Sequence, residues 1–248
     1  MAYFRFDPNN YSFNSSSEIG VYILHGFSST TFEVKELAEF LGNNGYHAVA
    51  NNLPGHGTNV DDCNRIKYNH WFDKVKMDVA EMSSKCNKIF IIGNSMGSVL
   101  TLYLASIFPI SGFIVGGTVL KFKNHFTTNY IVPLVCSFLT SQPKNKMNKS
   151  KNVKFYGYEE YPLKALNEFR KMNYKVISVI KKIQAPGMII HSHSDRLSNE
   201  ENVKIMKKNL TNKNIKTLYV NRAHHNMFDD NPDQKLIFNE VLQFLNSH

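Results

Sequence analysis

The chain has 248 residues, 42% of them hydrophobic and 20% charged, and this composition excludes a protein that is disordered over most of its length. No apolar run approaches the roughly 20 residues needed to span a bilayer, so we expect a soluble protein with one large core. The net charge of +9 is compatible with nucleic acid, an anionic membrane surface or a merely lysine-rich composition. No recognisable nucleic-acid-binding module accompanies that charge, so we expect no nucleic-acid partner.

The expected location is the cytoplasm. The first residues lack the basic and apolar segments of a secretory signal. The cysteines, Cys63, Cys86 and Cys136, are odd in number and never form a C-x-x-C pair. They therefore predict three buried thiols rather than a disulfide framework or a zinc site.

Strand-like and helix-like segments alternate along the chain, which predicts an α/β fold with a mostly parallel sheet covered by helices on both faces. The predicted strands are 19–24, 46–50, 88–92, 112–115, 187–191 and 215–220. The predicted helices are 33–41, 71–82, 99–108 and 232–245.

Residues 121–161 depart from this alternation. An apolar piece at 130–139 is followed by a lysine-rich stretch and then by an aromatic and acidic piece. We interpret 121–161 as a small cap insertion over the carboxyl edge of the sheet, with 1–120 and 162–248 forming the core. Ordinary crossover helices are the alternative.

The lysine-rich stretch contains no acid between positions 141 and 156. This pattern predicts an exposed basic loop that favours an anionic membrane surface or the head of a lipid substrate. Its lysines are Lys144, Lys146, Lys149, Lys151 and Lys154.

The segment Gly93-Asn94-Ser95-Met96-Gly97 follows a predicted strand and precedes a helix-like run. G-x-S-x-G between a strand and a helix is the nucleophile elbow, a sharp turn that presents its serine above the sheet. The sequence therefore predicts Ser95 as a nucleophile, which needs a base to take its proton and an acid to orient that base.

Both partners have candidates at the ends of later strands. Asp195 comes soon after the strand predicted at 187–191, and the pair His224-His225 follows the last predicted strand. Serine, acid and histidine in this order is the arrangement of α/β-hydrolases. The order alone leaves either histidine as the base.

Three segments together resemble the small bacterial carboxylesterases and monoacylglycerol lipases of the α/β-hydrolase superfamily. They are L-H-G-F-S-S-T-T-F-E-V at 24–34, L-P-G-H-G-T at 53–58, and the elbow itself. The resemblance implies an α/β-hydrolase fold and a serine carboxylesterase acting on short- to medium-chain esters or monoacylglycerols through an acyl-enzyme, with no cofactor and no metal. It also implies that the backbone N–H groups of Phe27 and Met96 form the oxyanion hole, which agrees with the unpaired amides at a helix N-terminus.

The resemblance also bears on the histidine pair. Near the end of the family's sequences, an aromatic residue directly precedes the catalytic histidine. The resemblance therefore implies that His224 occupies the aromatic position and that His225 is the base. His25 is expected to orient the oxyanion loop by hydrogen bonding. His56 is expected to stabilise the turn Gly55-His56-Gly57 in which it lies. The pair His191 and His193 lacks a third metal ligand of matching spacing.

The acyl site is expected to come from the cap, because loops rich in Gly, Ser, His and Asn supply little apolar area. Phe126, Tyr130 and Phe138 are the predicted substrate-binding residues. An acyltransferase, a thioesterase or a C–C bond hydrolase could use the same three catalytic residues. A non-catalytic ligand-binding homologue is the alternative from another class.

Overall fold

The computed structural model describes residues 6–144 and 157–248, which form one seven-stranded sheet with helices on both faces. The sheet strands are β1 (Tyr11–Phe13), β2 (Ile19–Leu24), β3 (His47–Ala50), β4 (Lys88–Asn94), β5 (Gly112–Gly116), β8 (Gly187–Ser192) and β9 (Ile215–Val220). The helices are α1 (Phe32–Asn43), α2 (Val60–Arg65), α3 (Tyr68–Ser83), α4 (Met96–Ala105), α5 (Val132–Val135), α6 (Leu163–Val179), α7 (Glu200–Asn209) and α8 (Gln234–Asn246).

The strand order is β1-β3-β2-β4-β5-β8-β9, and all neighbours run parallel except β1, which pairs antiparallel with β3. Parallel strands put their carboxyl ends at one edge of the sheet, so the loops after β2, β4, β8 and β9 meet there. The predicted mostly parallel sheet flanked by helices is confirmed.

The core consists of two apolar layers, one on each face of the sheet. Successive residues of β4 supply both layers, since Phe90 and Ile92 pack with α1 and α8 while Ile91 packs with α3, α4 and α6. Side chains of a strand alternate between its faces, so an unbroken apolar run is what a doubly covered strand requires. Helix α4 is buried at every position except Tyr103, as expected for a helix enclosed by other elements.

The predicted strands agree with the structure more closely than the predicted helices. Strands 19–24 and 215–220 are confirmed at both ends. The helix predicted to begin at 99 was placed too late, because α4 begins at Met96, directly after Ser95. Strand β1 and helices α2, α6 and α7 were not predicted.

Part of the segment predicted as a cap is described. A π-helical turn (Thr127–Ile131) leads into α5, and a two-stranded antiparallel sheet pairs β6 (Ser141–Pro143) with β7 (Glu160–Pro162). The predicted basic loop lies outside the described residues except for Lys144. That lysine is half-buried rather than exposed, because its ammonium group lies 5.4 Å from the ring centroid of Tyr161.

Within residues 6–144 and 157–248, no helix combines the length and the apolar character that crossing a bilayer requires.

Candidate active site

Ser95 occupies a strained turn between β4 and α4, with φ of +55° and ψ of −113°. The turn depends on two glycines. A Cβ atom on Gly93 would lie 2.3 Å from the backbone of Gly97, and one on Gly97 would lie 2.2 Å from the carbonyl oxygen of Leu24. Both contacts are with backbone atoms that cannot move aside, so only glycine fits either position.

The structure brings Ser95, His225 and Asp195 into one hydrogen-bonded row. The Oγ of Ser95 lies 2.8 Å from Nε2 of His225, and Nδ1 of His225 lies 2.9 Å from Oδ2 of Asp195. Asp195 Oδ1 also accepts hydrogen bonds from the N–H groups of Leu197 and Ser198, at 2.8 and 2.9 Å. A carboxylate that receives two backbone N–H bonds is fixed in direction as well as in position.

The row also settles which nitrogen of His225 carries the proton. A carboxylate can only accept, so Nδ1–H donates to Asp195 and Nε2 is left to accept from the Ser95 hydroxyl. Burial alone would lower the pKa of His225, but the charge and hydrogen bond of Asp195, with a contribution from Glu33, raise it above its ordinary value. Burial raises the pKa of Asp195, but the charge and hydrogen bond of His225 lower it. The net effect is a pKa below the ordinary value.

His224 lies outside this row. Its side chain is exposed, whereas His225 is only 16% exposed at its side chain and bridges the other two residues. Of the two histidines between which the sequence left a choice, the structure therefore places only His225 beside Ser95.

The loop that carries Phe27 is held by a neutral histidine. Leu53 N–H donates to Nε2 of His25, so Nδ1–H of His25 donates to the carbonyl oxygen of Gly26, at 2.9 Å. That carbonyl belongs to the same peptide plane as the N–H of Phe27, so the hydrogen bond fixes the direction of the amide. Burial lowers the pKa of His25 to about 4, which keeps the ring neutral.

A second neutral histidine holds the next residue of the loop. Ser28 has φ of +55°, and its N–H donates to Nε2 of His56 at 3.1 Å, while Nδ1–H of His56 donates to the carbonyl oxygen of Pro54. Burial holds the pKa of His56 well below its ordinary value. The carbonyl oxygen of Ser28 accepts from the N–H of Tyr158, so a residue of the segment predicted as a cap binds the loop that carries Phe27.

The two predicted oxyanion donors differ in how they are presented. Met96 is the first residue of α4, where an N–H group has no partner within the helix. Phe27 lies in an irregular loop. In the part of the chain that the structure describes, neither N–H donates a hydrogen bond.

Ser98 ties the elbow to the sheet. Its hydroxyl lies 2.7 Å from the carbonyl oxygen of Gly93 and 2.8 Å from that of Gly116, and it accepts from the N–H of Gly116. The hydroxyl is thus fully used inside the protein, which makes Ser98 a fixing point between β4 and β5.

An aromatic group lies against the loop that carries Phe27. The ring of Phe27 packs at 5.6 Å from that of Phe169 in α6 and edge-on to Trp71, and Phe122 packs edge-on to Phe169 at 5.1 Å. Trp71 is fully buried. Phe169 was missed by the sequence analysis, although the apolar spacing of α6 could have indicated it.

The three aromatic residues predicted to bind substrate lie on the surface. Phe126, Tyr130 and Phe138 are 67%, 57% and 92% exposed. Phe126 and Tyr130 contact each other at 5.3 Å, and no ring contact joins them or Phe138 to the aromatic group at Phe27 within the described ranges.

The sequence analysis also missed Glu33. Its carboxylate is 1% exposed and accepts hydrogen bonds from the Gly26 N–H and the Asn94 side chain. In the sequence it is only an acid in the first turn of an amphipathic helix, and nothing there indicates that it faces inward.

The H-x-H pair, His191 and His193, forms ring contacts with a tyrosine. His193 stacks on Tyr219 at 5.3 Å, and His191 packs edge-on to the same ring. Among residues 6–144 and 157–248, no three His, Cys, Asp or Glu side chains are grouped so that they could hold a metal ion.

Comparison with known proteins identifies the family of the chain. The family described as serine aminopeptidase, S33, matches residues 16–232. A thermostable monoacylglycerol lipase from Bacillus sp. (strain H-257) is 26% identical over 93% of this chain and 91% of its own length. A carboxylesterase from Bacillus subtilis (strain 168) is 22% identical over 96% of each chain.

Among solved structures, one from a study of the metagenome-derived lipolytic enzymes LipS and LipT superposes with a TM-score of 0.87. It is 21% identical and covers 97% of this chain and 98% of its own. The predicted α/β-hydrolase fold and the resemblance to small carboxylesterases and monoacylglycerol lipases are thereby confirmed.

Proposed function

The chain belongs to the family described as serine aminopeptidase, S33, within the α/β-hydrolases, and we propose that it is a serine carboxylesterase that hydrolyses short- to medium-chain esters or monoacylglycerols. The row from Ser95 through His225 to Asp195 is the observation that carries this proposal. The names of the related monoacylglycerol lipase and carboxylesterase support esters as the substrate class.

In the acylation step, Ser95 Oγ attacks the ester carbonyl carbon while Nε2 of His225 takes the hydroxyl proton. The carbonyl oxygen becomes an oxyanion that accepts from the Phe27 and Met96 N–H groups. His225 then returns the proton to the alkoxide oxygen as the C–O bond breaks, so the alcohol leaves and the acyl group stays on Ser95. Asp195 remains ionised and stabilises the imidazolium.

In the deacylation step, a water molecule attacks the acyl-enzyme and His225 takes a proton from it. The same two amides hold the second oxyanion. Collapse releases the carboxylic acid and restores the Ser95 hydroxyl with the proton held by His225. Neither step needs a cofactor or a metal ion, because protein groups supply the nucleophile, the base and the oxyanion donors.

We place the acyl chain along the aromatic group of Phe27, Phe169 and Phe122, with the exposed Phe126, Tyr130 and Phe138 as outer contacts. Apolar walls exclude water from the reacting carbonyl, and each buried methylene adds about 0.8 kcal/mol to binding. The proposed cap, residues 121–161, is short, so the expected optimum lies at short to medium chains.

The direct test combines covalent labelling with a substrate panel. A fluorophosphonate should add one group, located on Ser95 by peptide mapping. Activity should be measured on p-nitrophenyl esters from acetyl to palmitoyl, on monoacylglycerols and, given the family description, on aminoacyl p-nitroanilides. We expect kcat for ester hydrolysis to fall by about 10⁶-fold in Ser95→Ala. An adduct on another residue, or turnover of the anilides alone, contradicts the proposal.

The same panel addresses the alternatives that share these residues. Thioesters, β-diketones and an added acceptor alcohol test thioesterase, C–C bond hydrolase and acyltransferase activity. A purified protein that binds esters without turning over any of them, and that no fluorophosphonate labels, would instead be a non-catalytic ligand-binding homologue.

We also propose weak contact with anionic membrane surfaces through residues 121–144. This segment contains no acidic residue, includes Lys121 and Lys123, and exposes large apolar side chains such as Leu134 and Phe138. Apolar anchors flanked by lysines favour anionic lipid interfaces. Sedimentation with vesicles at low salt should detect more binding to phosphatidylglycerol than to phosphatidylcholine, and equal binding contradicts the idea.

The proposed location is the cytoplasm. Cys63, Cys86 and Cys136 are buried free thiols, which suit a reducing compartment. Cell fractionation with compartment markers tests this location, and recovery in a secreted fraction would overturn it.

A further inference from the structure

Glu33 buries its carboxylate behind the candidate active site. It stands in the first turn of α1, where an exposed acid would already be stabilised by the helix dipole. Instead its Oε2 accepts the Gly26 N–H at 3.1 Å, and its other oxygen accepts from the side-chain amide of Asn94. Burying a carboxylate is costly unless it is hydrogen-bonded, so both bonds stabilise this placement.

The two donors belong to the two segments that carry the proposed oxyanion amides. Gly26 directly precedes Phe27, and Asn94 directly precedes Ser95 in the elbow. A Cβ atom on Gly26 would lie 3.2 Å from both carboxylate oxygens of Glu33 and 3.2 Å from Cβ of Ser95. The carboxylate and the nucleophile therefore face each other across a single glycine.

Asn94 extends this connection to the segment that carries His225. Its Oδ1 accepts the N–H of Met227 at 3.3 Å, two residues beyond the proposed base. Hydrogen bonds thus run from the oxyanion loop through Glu33 and Asn94 to the loop after β9. A shift in any of the three segments would stretch a bond in this chain.

The charge of Glu33 also acts on the site. Burial raises the pKa of Glu33, against the opposing effects of its hydrogen bonds and of His225. Among the described residues, His225 and Lys144 are charged groups that act on this carboxylate. Glu33 and Asp195 both favour the protonated form of His225, which is the form present once Ser95 has lost its proton.

We propose that Glu33 is a positioning residue for ester hydrolysis, which holds the oxyanion loop and the elbow in register through Gly26 and Asn94 and assists the imidazolium of His225 with its charge. This inference rests on the serine carboxylesterase function proposed above. Misplacement of oxyanion donors by a fraction of an ångström affects the transition state more than substrate binding. Loss of Glu33 is therefore expected to lower kcat and to leave KM nearly unchanged.

The test is a polarity exchange between the two side chains. Glu33→Gln keeps an oxygen for the Gly26 N–H but turns an NH₂ group toward that of Asn94. Asn94→Asp places a second carboxylate against Glu33. The double variant Glu33→Gln/Asn94→Asp restores one donor and one acceptor and keeps one negative charge, now on the other side chain.

Asp78→Asn is the matched control. Asp78 is also buried and accepts from the Tyr22 hydroxyl at 2.5 Å and from Lys74, and it belongs to a different hydrogen-bonded group from that of Ser95. Each variant is measured for Tm, fluorophosphonate labelling, and kcat and KM on one p-nitrophenyl ester across pH. Asn94→Ala, which removes only the amide, is a second variant should Glu33→Gln fail to fold.

Glu33→Gln is expected to lose about 100-fold in kcat with KM within twofold, as for displaced catalytic groups. The acid limb of its pH profile should move to lower pH, because His225 loses a neighbouring negative charge. The double variant should recover at least tenfold over the product of the single effects, and Asp78→Asn should lower Tm while keeping kcat.

Wild-type kcat and an unmoved acid limb in Glu33→Gln, with only a lower Tm, would overturn the proposal, and so would a double variant without recovery. If Glu33→Gln does not fold, the proposal would be overturned by an Asn94→Ala variant that keeps the kcat and KM of the wild type. Failure of the proposed function would look different, since the wild-type protein itself would neither label nor hydrolyse.

Discussion

The carboxyl edge of the sheet and residues 121–144 of the proposed cap differ in how their side chains are held. At the sheet edge Asp195 is fixed by two backbone amides and a histidine, and Gly93 and Gly97 leave the elbow no room to move. Residues 121–144 instead turn large apolar side chains toward solvent. These are Phe126, Tyr130, Ile131, Leu134, Phe138 and Leu139.

This difference matches two different demands. The chemistry at Ser95 needs atoms fixed to within about half an ångström, which packed strands and glycine contacts provide. Contact with a flexible acyl chain or a lipid surface needs apolar area that can adapt, which a loosely packed segment provides. Substitutions at the sheet edge should therefore affect rate and stability strongly, whereas those in the segment should alter selectivity.

The largest contrast is expected between the two neighbouring histidines. His225→Ala should lower kcat by about 10⁶-fold, because the three residues of the row act as a unit. His224→Ala is the control and should stay within a few-fold of wild type, since that side chain is exposed. Single-turnover kinetics on a p-nitrophenyl ester measures both, and a larger loss in His224→Ala would reverse the assignment.

Asp195→Asn should cost about 10⁴-fold in kcat, because the ring of His225 loses its preferred tautomer. The charge of Asp195 raises the pKa of His225, and the base must be neutral to act. Removing that charge lowers the pKa, so the acid limb of the residual activity should move to lower pH. A pH profile of kcat/KM measures this, and a shift to higher pH would contradict the proposed role.

Gly97→Ala should lower the free energy of unfolding by on the order of 3 kcal/mol, because the new Cβ meets the backbone of β2. Gly45→Ala is the matched comparison, since Gly45 has φ of +94° but nothing within 4 Å of a Cβ atom. Its cost should be about 1 kcal/mol, from backbone conformation alone. Urea unfolding measures the free energy of unfolding of both variants. Equal decreases in the two variants would show that the contact of the new Cβ with β2 is relieved easily.

The smallest effect on stability is expected at Phe138. Phe138→Ala should change the free energy of unfolding by less than about 0.5 kcal/mol, because the ring is 92% exposed. It should shift the acyl-length optimum of kcat/KM toward longer chains. Phe169→Ala, at a buried ring, should cost about 3 kcal/mol. A chain-length profile unmoved by Phe138→Ala would remove this residue from the substrate site.

The elements that could be predicted from the sequence carry their signal within a short stretch. The run 19–24 is apolar throughout and continues into His25-Gly26, so its ends are visible. Strand β1 has only three residues and pairs with a single neighbouring strand. Three residues are too few to show the alternation from which a strand can be predicted. Helix α6 had a visible signal, since Ala165, Phe169, Met172 and Val176 recur at helical spacing on its buried face.

The candidate site divides in the same way. Ser95, Asp195 and the histidine pair each follow the end of an apolar strand, so local sequence together with sheet topology brings them to one edge. Glu33 could not be found like this. Its position depends on a bond to Asn94, which is 61 residues away and whose own orientation comes from the loop after β9. Contacts of that kind exist only once the sheet is assembled.

The neutral histidines behind the oxyanion loop have a consequence for acidification. Protonation of His225, whose pKa lies above its ordinary value because of Asp195, removes the base, so log kcat/KM should fall reversibly with a slope of one as pH drops through that pKa. His25 has an ordinary pKa of 6.5 and a folded pKa of about 4, so between these values the unfolded chain binds a proton that the folded chain refuses. The free energy of unfolding therefore declines as pH falls from 6.5 toward 4. Protonation of His225 therefore stops catalysis reversibly, whereas the proton that favours the unfolded chain at His25 destabilises the fold at lower pH.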